Sequence, residues 1–574
     1  MTVRSRASLV CALLTMALLG LARASAAGPR PRAAGPAPGR PGCAALAVPA
    51  GPRGATAHAE SVRLGGPRSA QGRWSSVPAP VAYDIRLDPD LRTGVLRERA
   101  VVAIRNPARA DSIELALNDW FEQVDVQAAG ARATVRRRPG SVVIGLAPAR
   151  PRETLCLELR GRPARSDDEQ RSVLGRESVF LLWSDAFYPL DYDAWAPVRL
   201  AIALPAGFRV FGPGHEVRTE TVTRPETDAA GNRVGDARDP GALIVHRFVS
   251  DHPLRLFSVL ADRRWIETRR STGGLRLRTL LYPSAQPYAD SLLARSADVL
   301  SGYARLYGPY GFDEFTFATL DSLYARRALA GGVVYSPAFL EREMARVGYD
   351  GHETALLWWG YTIAGSGPGS FQWLEGLGDY AEYLYDEERG KPLPPSWARF
   401  RAAYLALQPG SEPPLAGLRG STPQAIIHGK YPWLMHLLRF AVGDDAFRGA
   451  MRDLFERARY HALTLDQLVA ALEAGTGRSL AWWKDGWLLR PSVPDVHFTA
   501  TFEPEGDRWR VVARLEQATP PFSFPAEIGV FSGTARDLRR VQVDSATQTF
   551  LLTSATRPDS VVLDPRGWVI MRRH

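Results

Sequence analysis

The sequence predicts a multidomain α+β chain in which a β domain, a mainly helical domain and a small β sandwich follow one another. Three observations carry this. The chain has 574 residues, too many for one ordinary domain and enough for three or four with their own cores. Its composition, 45% apolar and 23% charged, is globular and disfavours disordered, collagen-like and multi-span membrane classes. The hydrophobic period then changes along the chain from two to about 3.6 and back to two.

The N-terminus precedes any of these domains. Arg4 and Arg6 lead into the apolar run Ala7 to Ala22, and Ala24-Ser25-Ala26 follows. This is the order of a secretory signal, so residues 1–26 are expected to be cleaved after Ala26. The run falls short of the roughly 20 residues a spanning helix needs, and no later segment is apolar enough to span. The expectation is an exported bacterial protein of the periplasm, envelope or medium. Residues 27–73 are mostly Pro, Gly, Ala and Arg without apolar period and read as a flexible linker.

Of the net charge of +10, the leader carries +3 and the linker +6, leaving about +1 for residues 74–574. A nearly neutral body gives no reason to expect a nucleic-acid partner. Cys11 falls in the leader and Cys43 in the linker, so Cys156 stands alone in the folded part. No disulfide framework and no cysteine zinc site is expected.

Residues 74–265 are assigned to the β domain. Tyr83-Asp84-Ile85-Arg86-Leu87 alternates, and the runs Val198–Leu204 and Phe208–Phe211 are each closed by Pro and Gly turns. Residues 266–490 are assigned to the helical domain. Leu292, Leu293, Ala297 and Leu300 recur at three and four, and further stripes cover Thr354–Ile363, Trp433–Phe440, Ala446–Arg457 and Leu465–Leu472. In residues 491–574 the strand pattern returns at Phe498–Phe502, Trp509–Leu515, Ile528–Phe531 and Val561–Leu563.

The chemical information concentrates in Gly351-His352-Glu353-Thr354-Ala355-Leu356-Leu357-Trp358-Trp359-Gly360, followed by Trp373-Leu374-Glu375-Gly376. In an HExxH helix two histidines one turn apart converge on zinc and the glutamate acts as general base on the metal-bound water. Here the first histidine and the glutamate are present and Leu356 holds the second histidine position. A His-Glu dipeptide alone says little, since His215-Glu216 is another. Trp358-Trp359-Gly360 and the spacing to Glu375 distinguish this one.

Over roughly residues 80–574 the sequence resembles the gluzincin aminopeptidases of the membrane alanyl aminopeptidase and leukotriene-hydrolase type, whose signature is HExxH, eighteen residues, then Glu. Phe187-Tyr188-Pro189, Tyr307-Gly308-Pro309-Tyr310, Leu465-Asp466-Gln467-Leu468 with Trp483 and Trp487, and Val561-Val562-Leu563-Asp564-Pro565 support it. The resemblance implies a β saddle domain, a thermolysin-like catalytic-type domain and a C-terminal β sandwich, without the helical solenoid of many members. It places His352 and Glu375 at zinc-ligand positions and Glu353 at the general-base position.

Three departures accompany it. Leu356 has no lone pair for a metal. The stretch Gly331-Gly332-Val333-Val334-Tyr335 stands at the family's substrate-binding loop, which reads Gly-Ala-Met-Glu-Asn or a variant, so Val334 replaces the carboxylate that binds the substrate's amine; Val334 and Tyr335 are expected on an edge strand lining a cleft. His428, in His428-Gly429-Lys430-Tyr431, replaces the tyrosine that stabilises the oxyanion, and losing one such donor costs roughly a hundred- to a thousand-fold.

The leading expectation is therefore an exported aminopeptidase-family protein inactive or strongly impaired as a zinc peptidase, with zinc unbound or weakly held. Its interdomain cleft would bind peptides or a protein partner. Two alternatives stay open: an active divergent metallopeptidase with zinc on His352, Glu375 and His428, and a structural cell-envelope protein.

Overall fold

The computed structural model describes residues 78–163, 172–223, 242–323, 325–346, 351–393, 395–415, 418 and 422–574. The signal peptide and linker, residues 1–26 and 27–73, lie outside the described residues.

The alternating N-terminal segments form a seven-stranded sheet. Its strand order is His215–Thr223, Ala242–Val249, Val198–Pro205, Ala79–Asp90, Val95–Arg105, Arg152–Gly161 and Phe121–Ala128. In the strand Ala79–Asp90, Tyr83, Ile85 and Leu87 are buried while Arg86 is exposed, the two-residue period of a sheet with one covered face. A four-stranded and a three-stranded sheet complete this part.

Cys156 corrects one expectation. It is disulfide-bonded, buried on the strand Arg152–Gly161 beside Val101. Its partner lies outside the described residues, where only Cys11 and Cys43 remain.

A five-stranded sheet follows, in the order Ile266–Thr272, Leu275–Leu281, Glu314–Thr319, Gly332–Tyr335 and Arg326–Leu329. The second, third and fourth of these run parallel, and Arg326–Leu329 closes the edge antiparallel. The helices are α1 (Ala289–Tyr307), α2 (Pro337–Arg346), α3 (His352–Ala355), α4 (Ser370–Glu387), α5 (Pro395–Leu405), α6 (Gln424–Val442), α7 (Asp444–Ala458) and α8 (Leu465–Thr476). Helix α8 starts at a capping box, Thr464 and Gln467 satisfying each other's backbone N–H groups.

Helix α6 is the hub. From Tyr431 to Val442 each of its residues is buried, as expected of a helix apolar all round. Lys430 on it is fully buried and donates to Glu412 Oε1 and to the Arg490 carbonyl, each at 2.7 Å. The Trp483 indole donates to Leu434 O, and that of Trp487 to Ser523 O, each at 3.0 Å, which ties α6 to the C-terminal strands.

Those strands make a four-stranded sheet (Thr547–Ser554, Arg508–Gln517, Asp495–Glu505, Arg572–Arg573) and a three-stranded one (Ala535–Val543, Phe524–Ser532, Ser560–Leu563). Among the described residues no helix is long and apolar enough to cross a membrane.

Candidate functional site

Gly351 opens the site with φ at +89°, a conformation that suits a residue without a side chain. A Cβ there would fall 3.0 Å from Val299 Cγ1, and the Gly351 carbonyl accepts from the Tyr303 hydroxyl at 3.1 Å. Helix α3 then presents His352 and Glu353. The helical stripe expected over Thr354–Ile363 ends after this single turn. Beyond it the backbone bonds widen, from Tyr361 N–H to Leu356 O, Thr362 N–H to Leu357 O and Ile363 N–H to Trp358 O. The two tryptophans account for the break. Both are buried core, and the Trp358 indole donates to Gly308 O at 3.0 Å.

Helix α4 supplies the facing carboxylates. Glu375, Asp379 and Glu382 recur at four and three residues and therefore share one face. Helix α6 approaches α4 closely at Gly376, where a Cβ would fall 2.5 Å from that of Tyr431. This approach brings His428 to Asp379.

Asp379 is the centre of the resulting network. His352 Nδ1 lies 3.0 Å from its Oδ1, and His428 Nδ1 lies 2.7 Å from its Oδ2. The other face of His352 looks at Glu375, with Nε2 3.6 Å from Oε2, and Glu382 Oε2 lies 3.8 Å from Nδ1. Burial pushes the His352 imidazole down, but the Asp379 and Glu375 carboxylates outweigh it and hold the ring well above its ordinary pKa. Burial alone would raise Asp379; the two histidines reverse that and hold it below the usual carboxylate range. Glu353 has a cation of its own, with Arg326 Nε 3.2 Å from its Oε1.

This arrangement decides how well zinc fits. A histidine ligand holds the metal with one ring nitrogen and donates the other N–H to a carboxylate. His352 matches, Nδ1 on Asp379 and Nε2 toward Glu375. Three protein donors are needed, and the third position carries the Leu356 alkyl chain, whose Cδ2 would lie 2.7 Å from a Cβ on Gly378. His428 has turned Nδ1 to Asp379, its ring centroid 5.9 Å from that of His352. The family's own three-ligand set is therefore incomplete, while His352, Asp379 and Glu382 offer donor atoms all within 4.8 Å of one another.

The reading of Val334 and Tyr335 as lying on an edge strand is corrected. The strand Gly332–Tyr335 lies inside the five-stranded sheet, flanked on both sides, and Val333, Val334 and Tyr335 are at most 2% exposed. The edge is the strand Arg326–Leu329, which carries Arg326 to Glu353. Sequence reasoning missed both Arg326 and Asp379. Asp379 had a signal, its spacing of four from Glu375; Arg326, brought in by a hairpin, had none.

No family model matches the chain. A 72-residue stretch is 35% identical to aminopeptidase N of Lactococcus lactis subsp. lactis, covering 12% of this chain and 8% of that protein. Among solved structures, aminopeptidase A of Legionella pneumophila, in complex with aspartic acid, superposes with a TM-score of 0.66 at 12% identity, over 87% of this chain and 59% of that one. An M1 zinc metallopeptidase variant from Deinococcus radiodurans, bound to a Tyr-Ser-Ala substrate, gives 0.59 at 18% identity, over 73% and 96%. The chain thus spans about three fifths of the Legionella chain and under a tenth of the Lactococcus protein. Its fold is similar to those of these aminopeptidase and zinc metallopeptidase structures, and the resemblance expected from the sequence holds at the level of the fold.

Proposed function

We propose that this is an exported gluzincin-fold protein that no longer works as an ordinary zinc aminopeptidase and whose interdomain cleft holds a peptide or protein partner. The observation that carries the reading is Leu356 at the third ligand position, packed toward Gly378. The Arg326–Glu353 pair supports it, because a general base must release its charge to a proton and a guanidinium stabilises the charged form. His352 lies between Asp379 and Glu375, and those carboxylates raise its pKa, so the imidazolium is favoured where a metal would otherwise balance them. The sheet edge Arg326-Arg327-Ala328-Leu329 bears no carboxylate for a substrate amine.

A saddle domain at 74–265, a thermolysin-like domain at 266–490 and a β sandwich at 491–574 belong to the same proposal, supported by the strand and helix order. Export is supported by the leader and by the Cys156 disulfide, since disulfides persist in oxidising compartments. The rival reading, zinc on His352, Glu375 and His428, draws on the 3.6 Å separation of His352 Nε2 from Glu375 Oε2 and on the engagement of His428 Nδ1 by Asp379, the carboxylate contact that a ligating histidine makes; the 5.9 Å between the two ring centroids is the distance it has to bridge.

The test is hydrolysis of aminoacyl substrates by the full chain with zinc in excess. The proposal expects no turnover above a Glu353→Gln control. Turnover at the rate of working aminopeptidases, abolished by that substitution, refutes it.

A further inference from the structure

A second group of metal-capable side chains lies away from Asp379, where the N-terminal sheet meets the five-stranded sheet. His215 opens the strand His215–Thr223, Asp251 and His252 follow the strand Ala242–Val249, and Asp313 directly precedes the strand Glu314–Thr319. Pairing of His215 with Val249 brings the first two segments together. Asp251 N–H donates to Asp313 Oδ2 at 3.0 Å and draws in the third.

The separations are not those of hydrogen bonds. His215 Nδ1 lies 3.6 Å from Asp251 Oδ2 and 3.8 Å from Asp313 Oδ2, and His252 Nε2 lies 3.9 Å from Asp313 Oδ1. The Nδ1 of His215 is sealed from water and has no hydrogen-bond partner among the described residues. A buried, unmatched ring nitrogen facing two carboxylates is unfavourable as it stands. It is the arrangement that ligands adopt around a cation: bonds of about 2.0–2.2 Å in a tetrahedral site put ligand atoms about 3.3–3.5 Å apart. His215, Asp251 and Asp313 offer donor atoms all within 4.8 Å of one another. The two His215 separations are already within about half an ångström of that spacing.

The Asp251 and His252 side chains are about half exposed, which leaves an ion a way in, and the other groups are held from within. Asp313 is nine-tenths buried. The His252 ring stacks on Tyr460 at 5.8 Å, and Tyr460 is anchored by its N–H to Thr362 O and by its hydroxyl to Gly311 O. Two imidazoles with two carboxylates suit zinc or a neighbouring divalent transition ion; calcium and magnesium prefer all-oxygen sites.

We propose that His215, Asp251, Asp313 and His252 bind one divalent transition-metal ion that pins the N-terminal sheet to the five-stranded sheet. The site is structural and separate from His352.

The test titrates zinc alone into metal-stripped full chain by calorimetry. One equivalent should bind to the wild type and equally to His352→Ala, while His215→Ala and Asp313→Asn weaken binding by more than about tenfold. Zinc should also raise the melting temperature of the wild type and leave that of Asp313→Asn unmoved. Where a variant fails to fold, cobalt(II) added to wild type serves instead: strong visible bands of a four-coordinate nitrogen–oxygen site, lost on His252→Gln, are expected. Absence of saturable zinc binding to the wild type overturns the proposal, as does binding that survives both His215→Ala and Asp313→Asn, or binding removed by His352→Ala.

Discussion

Asp379 accepts from His428 Nδ1 through one carboxylate oxygen and lies 3.0 Å from His352 Nδ1 through the other. A single buried carboxylate thus fixes the orientation of both imidazoles, and His352 also faces Glu375 and Glu382.

The network gives stability a defined pH dependence. His352 has its folded pKa raised, so its contribution is complete below the unfolded value of about 6.5 and is lost as pH rises through the folded value. Asp379 has its folded pKa depressed; its contribution is complete above about 4 and is lost as pH falls through the folded value. The melting-temperature gap between wild type and His352→Gln should therefore be widest between about pH 4 and 6.5 and shrink in alkaline buffer. A gap that widens with rising pH contradicts this.

Leu356→His should raise zinc affinity at His352 by more than about tenfold, because it restores the missing nitrogen donor and Gly378 leaves space beside position 356. Peptide hydrolysis should stay absent, because Arg326 still holds Glu353. Calorimetry and an aminoacyl-substrate assay on the same variant check both parts.

The Lys430–Glu412 pair is a structural counterpart. Glu412 also accepts from the Tyr404 hydroxyl at 2.6 Å. Replacing one partner strands the other in a dry core, so Lys430→Met should cost roughly 3–5 kcal/mol in urea unfolding. A cost under about 1 kcal/mol, the level of an exposed pair, contradicts this.

Reduction of the Cys156 disulfide should lower stability by about 2–4 kcal/mol. With residues 1–26 removed, as the proposed export requires, peptide mapping should find Cys43 as the partner. A free thiol at Cys156 in the oxidised protein contradicts this.

The sequence made legible what is local or periodic. Alternation placed the strands around Tyr83 and Phe498, and three-and-four spacing placed the helices holding Leu292 and Leu465. His352 and Glu375 were legible because a spacing signature names them. Asp379 was within reach, one turn beyond Glu375, but a carboxylate on a helix face is common. Arg326 was out of reach, because its contact with Glu353 depends on a hairpin closing over the sheet edge. The apolar run Val333-Val334-Tyr335 reads equally as edge or interior, and only the pairing of its neighbours decides.

The central claim, which rests on the proposed function, is that His352 does not serve as a zinc ligand. Its most direct test is zinc content after equilibration with the metal, compared between wild type and His352→Ala. The account predicts the same content in both. One equivalent lost with His352→Ala, together with peptide hydrolysis by the wild type, would contradict it.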